Sequence, residues 1–369
     1  MDPAELRADI PVLERVNYMN TGAAGPSPRR VVDAMEGTIE HHEYESPAAE
    51  GMYEAAFGRL DDVREDVADH LNADPEEIAL TTNTTDGIGR VAAAMDWSSD
   101  DVVVRTDIEH PAGILPWQRL RDRYGVEVRV VNTRRNYVDR RAFEAAVEDA
   151  TLVAFSSLCW TTGARLDVED LVDIAHDAGA RVIVDAVQSV GQHPVDVKEW
   201  GADAIAAAGH KWLLGPWGAG FLYVDREFAA ELHPAQVGYR GVEDSHADPY
   251  ELKPGAQRFE IGTDTPAPHA GLQEAIATIE DVGFDAITSR VSRLTDRLKD
   301  GVGEDRLVSP PAYESGLVSF HVDDPEDTVE RLQGEGIRIR SLPDGETVRA
   351  SLHVFNTEED VDELLGALG

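Results

Sequence analysis

A lysine that follows a histidine inside an apolar, glycine-rich stretch has a chemical use that few side chains share. Lys211 stands so in "AAAGHKWLLGPWGAGFLYV" (206–224), in a chain whose other lysines are Lys198, Lys253 and Lys299. A neutral lysine amine adds to a carbonyl to give a Schiff base. Removal from water lowers its pKa from about 10.4 towards that reactive form. Arginine cannot take its place, because a guanidinium is always charged and forms no such bond.

Pyridoxal phosphate (PLP) needs such a lysine, together with a carboxylate that keeps its pyridine nitrogen protonated. Asp185, at the end of "RVIVDAVQ", is the candidate carboxylate. A buried aspartate there needs a charge partner, which a pyridinium supplies. The alternative is an aspartate that merely starts a turn. A phosphate needs free backbone N–H groups at a helix start. "TTNTTDGIGRVAAAM" (81–95) offers a strand, then Asn83-Thr84-Thr85-Asp86, then a helix. Alone, that motif is only a good N-cap. The dinucleotide fingerprint Gly-x-Gly-x-x-Gly is absent, since Tyr223 occupies its third glycine position in "GPWGAGFLYV". No Walker loop precedes Lys211. "EHHEYE" (40–45) reads as a solvated helix face, so no metal is expected.

Seven short β-branched or apolar runs position these residues: 78–82, 101–106, 126–131, 151–157, 181–186, 204–209 and 220–224. Several are apolar on both faces, as in a sheet covered by helices on both sides. Helical stretches such as "VEDLVDIAHDAG" (168–179) lie between them. This alternation predicts an α/β fold with a large, mostly parallel seven-stranded sheet. Past about residue 265 the rhythm changes to a smaller α+β unit. The expected division is a large cofactor-binding domain over 21–265, and a small domain built from 1–20 and 266–369.

The formal net charge is −38, from 71 acidic and 33 basic residues. That excludes nucleic acid and anionic membrane surfaces as expected partners. No apolar run reaches the roughly 20 residues of a membrane span, and "MDPAELRADIPVLERV" has no signal-peptide core. A cytoplasmic location is expected. Cys159 is the single cysteine, so neither an intrachain disulfide nor a multi-cysteine zinc site is possible.

Taken together these residues resemble the class V aminotransferase family of PLP enzymes (fold type I), which includes cysteine desulfurases, selenocysteine lyases and isopenicillin N epimerase-like proteins. The resemblance runs from "YMNTGAAGPSP" (18–28) through "EHPAGILPWQ", "SSLCWTTG", "VDAVQSVGQHPVDV" and "RFEIGT" to "RASLHVFNTEEDVDELL" (349–365). It implies that Lys211 is the Schiff-base lysine and the base at Cα, and that Asp185 is the pyridinium partner. Gln188 bonds the ring hydroxyl oxygen. His110 stacks on the ring and shuttles protons. Thr84, Thr85 and His210 hold the phosphate. Gly262 and Thr263 match a loop that reaches the neighbouring subunit's phosphate, so a homodimer with shared sites is implied. Arg349 matches the arginine that grips the substrate carboxylate, with Arg340 a second candidate.

The sequence departs from that pattern at three places. Ala208 stands where the family usually has a phosphate-touching serine or threonine. "SLPDGETV" (341–348) holds no cysteine, whereas one group of cysteine desulfurases carries its catalytic cysteine on that loop. Leu158 also stands where desulfurases tend to have asparagine, and "WTTG" is closer to the epimerase branch. The function expected is therefore chemistry at Cα/Cβ of a small amino acid, a C–S lyase or an aminotransferase first. Desulfuration proper, epimerisation and a non-catalytic PLP-binding role are the alternatives.

The acids run through most elements of the chain, and this pervasive self-repulsion suits a cytoplasm rich in salt, as in a halophile. The thermal midpoint is expected to rise steadily from dilute buffer to molar KCl; equal midpoints in the two would refute that adaptation.

Overall fold

The computed structural model describes residues 1–134 and 137–369. Its central sheet is built from β1 (Ile78–Thr81), β2 (Val102–Thr106), β3 (Glu127–Val131), β4 (Leu152–Ser156), β5 (Arg181–Asp185), β6 (Ala204–Ala208) and β7 (Gly220–Val224). Their order across the sheet is β1-β7-β6-β5-β4-β2-β3, and β7 alone runs antiparallel to its neighbours. The seven apolar runs of the sequence thus form the seven strands.

Side chains that alternate along a strand face opposite sides. Val102, Val104, Val153, Phe155, Val182, Val184, Ile205 and Phe221 enter one core. Val103, Leu152, Ala154, Ile183, Ala206 and Leu222 enter the other. Both faces are covered by helices, which is why these strands read as continuous apolar runs rather than as alternating ones. On the first face lie α1 (Arg29–Glu40), α2 (Met52–Leu71), α4 (Val168–Asp177) and α5 (Pro266–Val282). On the second lies α3 (Thr84–Ala94), with Ile88, Val91 and Ala92 turned to the sheet.

The helical region that opens the C-terminal part of the chain is two helices. It breaks at Gly283, whose φ of 83° favours glycine, and α6 (Phe284–Val302) follows. Ile287 and Val291 of α6 pack in the large core, while Leu294, Leu298 and Val302 pack against a second sheet. That sheet has the order β8 (Leu317–His321), β10 (Thr347–Ser351), β9 (Arg340–Ser341), all antiparallel. The N-terminal segment is tied to the C-terminal end of the chain. Arg7 bonds the Asp360 carboxylate, and Asn17 donates to the Asp360 carbonyl at 2.7 Å.

Two glycines allow the Lys211 turn to sit where it does. A Cβ on Gly25 would lie 2.2 Å from the Lys211 carbonyl oxygen, and one on Gly191 would lie 2.4 Å from the Trp212 carbonyl carbon. Leu214 is held at φ 61°, a strained value for leucine that persists because its N–H bonds the Lys211 carbonyl at 3.1 Å.

Candidate active site

The loops that leave the carboxyl ends of β1, β2, β4, β5 and β6 converge, as they do in open α/β sheets. They enclose a cavity of about 680 Å³. Thr84, Thr85, His110, Asp185, Gln188, His210, Lys211 and Arg340 all line it. Eight of the residues singled out in the sequence therefore meet in one place. Arg349 lies beside it, fully buried. Gly262 and Thr263 do not line it.

Asp185 ends β5, 6% exposed. Its Oδ1 accepts from the Val187 N–H at 3.0 Å, and no cation bonds it among the described residues. Burial raises its pKa, with the Val187 bond and the charge of Lys211 acting against that rise. Lys211 is partly buried. Burial lowers its pKa to about 8; Asp185 opposes the shift, and Arg349 and Arg340 add to it. His110 and His210 are both lowered to about 4, by burial first and Lys211 next, so both rings are neutral near pH 7.

Gln188 has a fixed orientation. The Trp212 indole N–H is only a donor, and it bonds Gln188 Oε1 at 2.7 Å. The amide nitrogen is thereby turned the other way and donates to the Gly22 carbonyl at 2.9 Å. One amide N–H remains available to an acceptor.

Helix α3 begins at the cavity. Asn83 caps it, accepting from the Asp86 N–H at 3.0 Å. The Thr84 hydroxyl is buried with no partner among the described residues. Orphaned donors at a helix start, a buried hydroxyl and a neutral imidazole suit a phosphate. Ala208 is buried and supplies no side-chain donor.

Arg349 and Arg340 are register partners on β10 and β9. Like charges directly opposite each other repel, and neither arginine has an ion pair among the described residues. Arg349 Nη1 is taken by the Trp160 carbonyl oxygen. Its Nε and Nη2 are buried and have no partner among the described residues. Those two atoms form one edge of the guanidinium, the edge that receives a carboxylate in bidentate fashion. Gly22 leaves room for it, since a Cβ there would lie 3.0 Å from Nη2.

The donor set fits PLP: a lowered amine, a buried carboxylate with no cation bonded among the described residues, an oriented amide and orphaned donors at a helix start. Several participants escape a reading of residue types. Trp160 lines the cavity, edge-on to His110 at 5.4 Å and with the Arg340 guanidinium 5.7 Å from its ring centre. Trp217 is 73% exposed and lies 4.8 Å from the His210 ring. Asn20 and Gly22 come from the N-terminal segment. The only signal in the sequence was that these residues sit inside the quoted motifs.

The family model "Aminotransferase class-V" matches residues 17–364. A probable cysteine desulfurase of Methanothermobacter thermautotrophicus is 36% identical, over 99% of this chain and 97% of its own. One from Halobacterium salinarum is 32% identical, over 100% and 96%. Among solved structures, the apo cysteine desulfurase of Thermococcus onnurineus superposes with TM-score 0.92 at 32% identity, covering 99% of this chain and 97% of that one. A cystine C–S lyase in complex with its product cysteine persulfide gives TM-score 0.92 at 28% identity, covering 97% and 98%. A lysine-to-alanine variant of that lyase carries glycine covalently linked to the PLP cofactor.

The amine of Lys211 reacts only when neutral. Covalent capture of PLP by the cofactor-free protein, followed by absorbance, is therefore expected to accelerate as pH rises through about 8 and to level off above it. A rate that is flat across that range, or capture that survives in Lys211→Ala, would contradict the assignment.

Proposed function

The chain belongs to the class V aminotransferase family of PLP-dependent enzymes, and from that premise we propose that it is a C–S lyase acting on a sulfur-bearing amino acid, cystine above all. The carrying observation is the position of the sole cysteine. Cys159 is fully buried, its Sγ 3.1 Å from the Thr161 hydroxyl. The Leu342–Glu346 turn between β9 and β10 is tight and holds no cysteine; its Gly345 N–H bonds the Leu342 carbonyl at 3.2 Å. No thiol is thus presented to the cavity to take sulfur from a substrate.

PLP, when bound, withdraws electrons from the substrate Cα. The chain's own residues supply the rest. Asp185 holds positive charge at the ring nitrogen, and Gln188 donates to the ring oxygen. Thr84, Thr85 and His210 anchor the phosphate. Arg349 presents its free edge to the α-carboxylate, which fixes the Cα–H bond in orientation. Lys211, once neutral, removes the Cα proton. Neutral His110 stands ready to give or take a proton at the departing sulfur. Arg340 remains for a second carboxylate, and cystine carries one. Trp160 lies beside Arg340, where an aromatic face suits sulfur. The overall balance is cystine plus water giving pyruvate, ammonia and cysteine persulfide.

A second reading is desulfuration proper, favoured by the names of the relatives. There Cys159 takes the sulfur and alanine is released. Product analysis separates the two. The lyase reading expects pyruvate and ammonia, with the rate in Cys159→Ala within about twofold of wild type; alanine as product, or loss of C–S cleavage in that variant, overturns it. With both substrates at hand, Arg340→Met should raise KM for cystine about tenfold or more, and for cysteine much less.

The homodimer implied by the resemblance is part of this proposal. Gly262 and Thr263 have no role in the cavity of their own chain, and Trp217, Tyr239 and Ile261 are exposed apolar groups. A second copy would cover them and bring that loop to the neighbouring phosphate cradle. Sedimentation equilibrium in molar KCl should return twice the mass of one chain; the single-chain mass at micromolar concentration would exclude shared sites.

A further inference from the structure

Glu109 precedes His110 at the end of β2 and is 5% exposed. Nothing in the reaction above uses it. Its carboxyl receives three contacts: Thr106 Oγ1 at 2.5 Å, the Ser156 N–H at 3.0 Å and Ser156 Oγ at 2.6 Å. None of them comes from a cation. Ser156 is the register partner of Asp185 on the adjacent strand. Two buried carboxyls therefore flank a single residue, and one of them lines the cavity.

Few charged groups reach Glu109. On its own stretch Arg105, whose Nη1 bonds the Thr106 carbonyl at 2.8 Å, lies near enough for its charge and that of Glu109 to attract, and Asp107 is exposed. From β5 comes Asp185. From the Pro111–Gly113 turn comes Gly113; a Cβ there would lie 2.9 Å from Glu109 Oε2. From β4 comes the uncharged Ser156. Two carboxylates this deep repel each other, and ionising both is costly. Asp185 faces Lys211 and the cavity, whereas Glu109 faces hydroxyls. One proton shared between them belongs on Glu109. The 2.6 Å contact serves both states, because a protonated Oε2 donates to Ser156 Oγ and an ionised one accepts from it.

We propose that Glu109 and Asp185 form one coupled proton site, in which Glu109 keeps the proton so that Asp185 stays ionised towards the cofactor. The proposal rests on the reading of Asp185 as the ring-nitrogen partner. Glu109 is thus a positioning residue that acts through Asp185. Its pKa is pushed up to about 7, by burial first; the Ser156 and Thr106 bonds work against the rise and Asp185 adds to it.

The sign follows from linkage. A carboxyl whose folded pKa is raised above its ordinary 4.5 stabilises the fold fully below that value. The contribution is lost as pH rises to about 7. The test is the thermal midpoint of the cofactor-free protein across this range, in wild type and Glu109→Gln. The glutamine retains an acceptor for the Ser156 N–H and an amide for Ser156 Oγ. Wild type is expected to lose stability relative to Glu109→Gln between about pH 4.5 and 7, then to run parallel to it. Parallel curves throughout would show a merely structural role and overturn the proposal.

Two further variants decide the matter even if Glu109→Gln does not fold. Ser156→Ala removes a bond that favours the ionised form and should move the limb to higher pH. Asp185→Asn removes the repelling neighbour and should move it to lower pH. A limb that ignores both changes sinks the coupling. The visible spectrum of the PLP-loaded protein tests the underlying reading separately. If Asp185→Asn moves the limb but leaves that spectrum and its pH dependence unaltered, the coupled pair stands and the ring-nitrogen role of Asp185 falls.

Discussion

A carboxylate buried without a cation is the constraint on which this structure depends. Asp185 lies at the end of its strand in the central sheet, bonded among the described residues by a single backbone N–H. An isolated charge in that place is costly, so the surroundings must either supply a positive partner or let a proton compete for it. The strand order answers the first need. β6 lies beside β5, and its continuation returns Lys211 to the cavity that Asp185 lines. Glu109 and Ser156, on the other side, answer the second.

The lysine could not be held there by a relaxed backbone. Its turn is pressed between Gly25 and Gly191, with Leu214 in a left-handed conformation. The same turn is gripped from the C-terminal unit, where His353 Nε2 bonds the Trp212 carbonyl at 2.9 Å. Trp212 in turn orients Gln188, and Gln188 bonds Gly22. A continuous run of hydrogen bonds thus joins the strand that carries Arg349 to the lysine turn, the aspartate strand and the N-terminal segment. The arginine edge and the amine are positioned against each other by this run rather than by either unit alone.

The loop after β4 shows the same dependence. Four consecutive carbonyls, of Trp160, Thr161, Thr162 and Gly163, accept from Arg349, Ser319, Ser309 and Ser315. These donors all come from the C-terminal part of the chain. They hold Trp160 between His110 and Arg340, and they leave Cys159 enclosed beneath it. The placement of the one thiol is therefore a product of contacts 158 and 189 residues apart in sequence.

Much of this was written in residue order. The seven strands, the lysine at the end of one and the aspartate at the end of another follow from hydrophobic pattern and residue type, which are local properties. The capped helix start at Asn83–Thr84 was legible for the same reason. The break at Gly283 was not, because glycine inside a helical pattern is tolerated and its φ is set by packing. Nor were Trp160, Trp212 and Glu109, whose residue types name no chemistry. A tryptophan donor orients an amide, and a glutamate holds a proton, only through neighbours that the fold brings from elsewhere. Sequence determined which groups could react. Tertiary structure decided their charge and their aim, since both depend on burial and on partners distant along the chain.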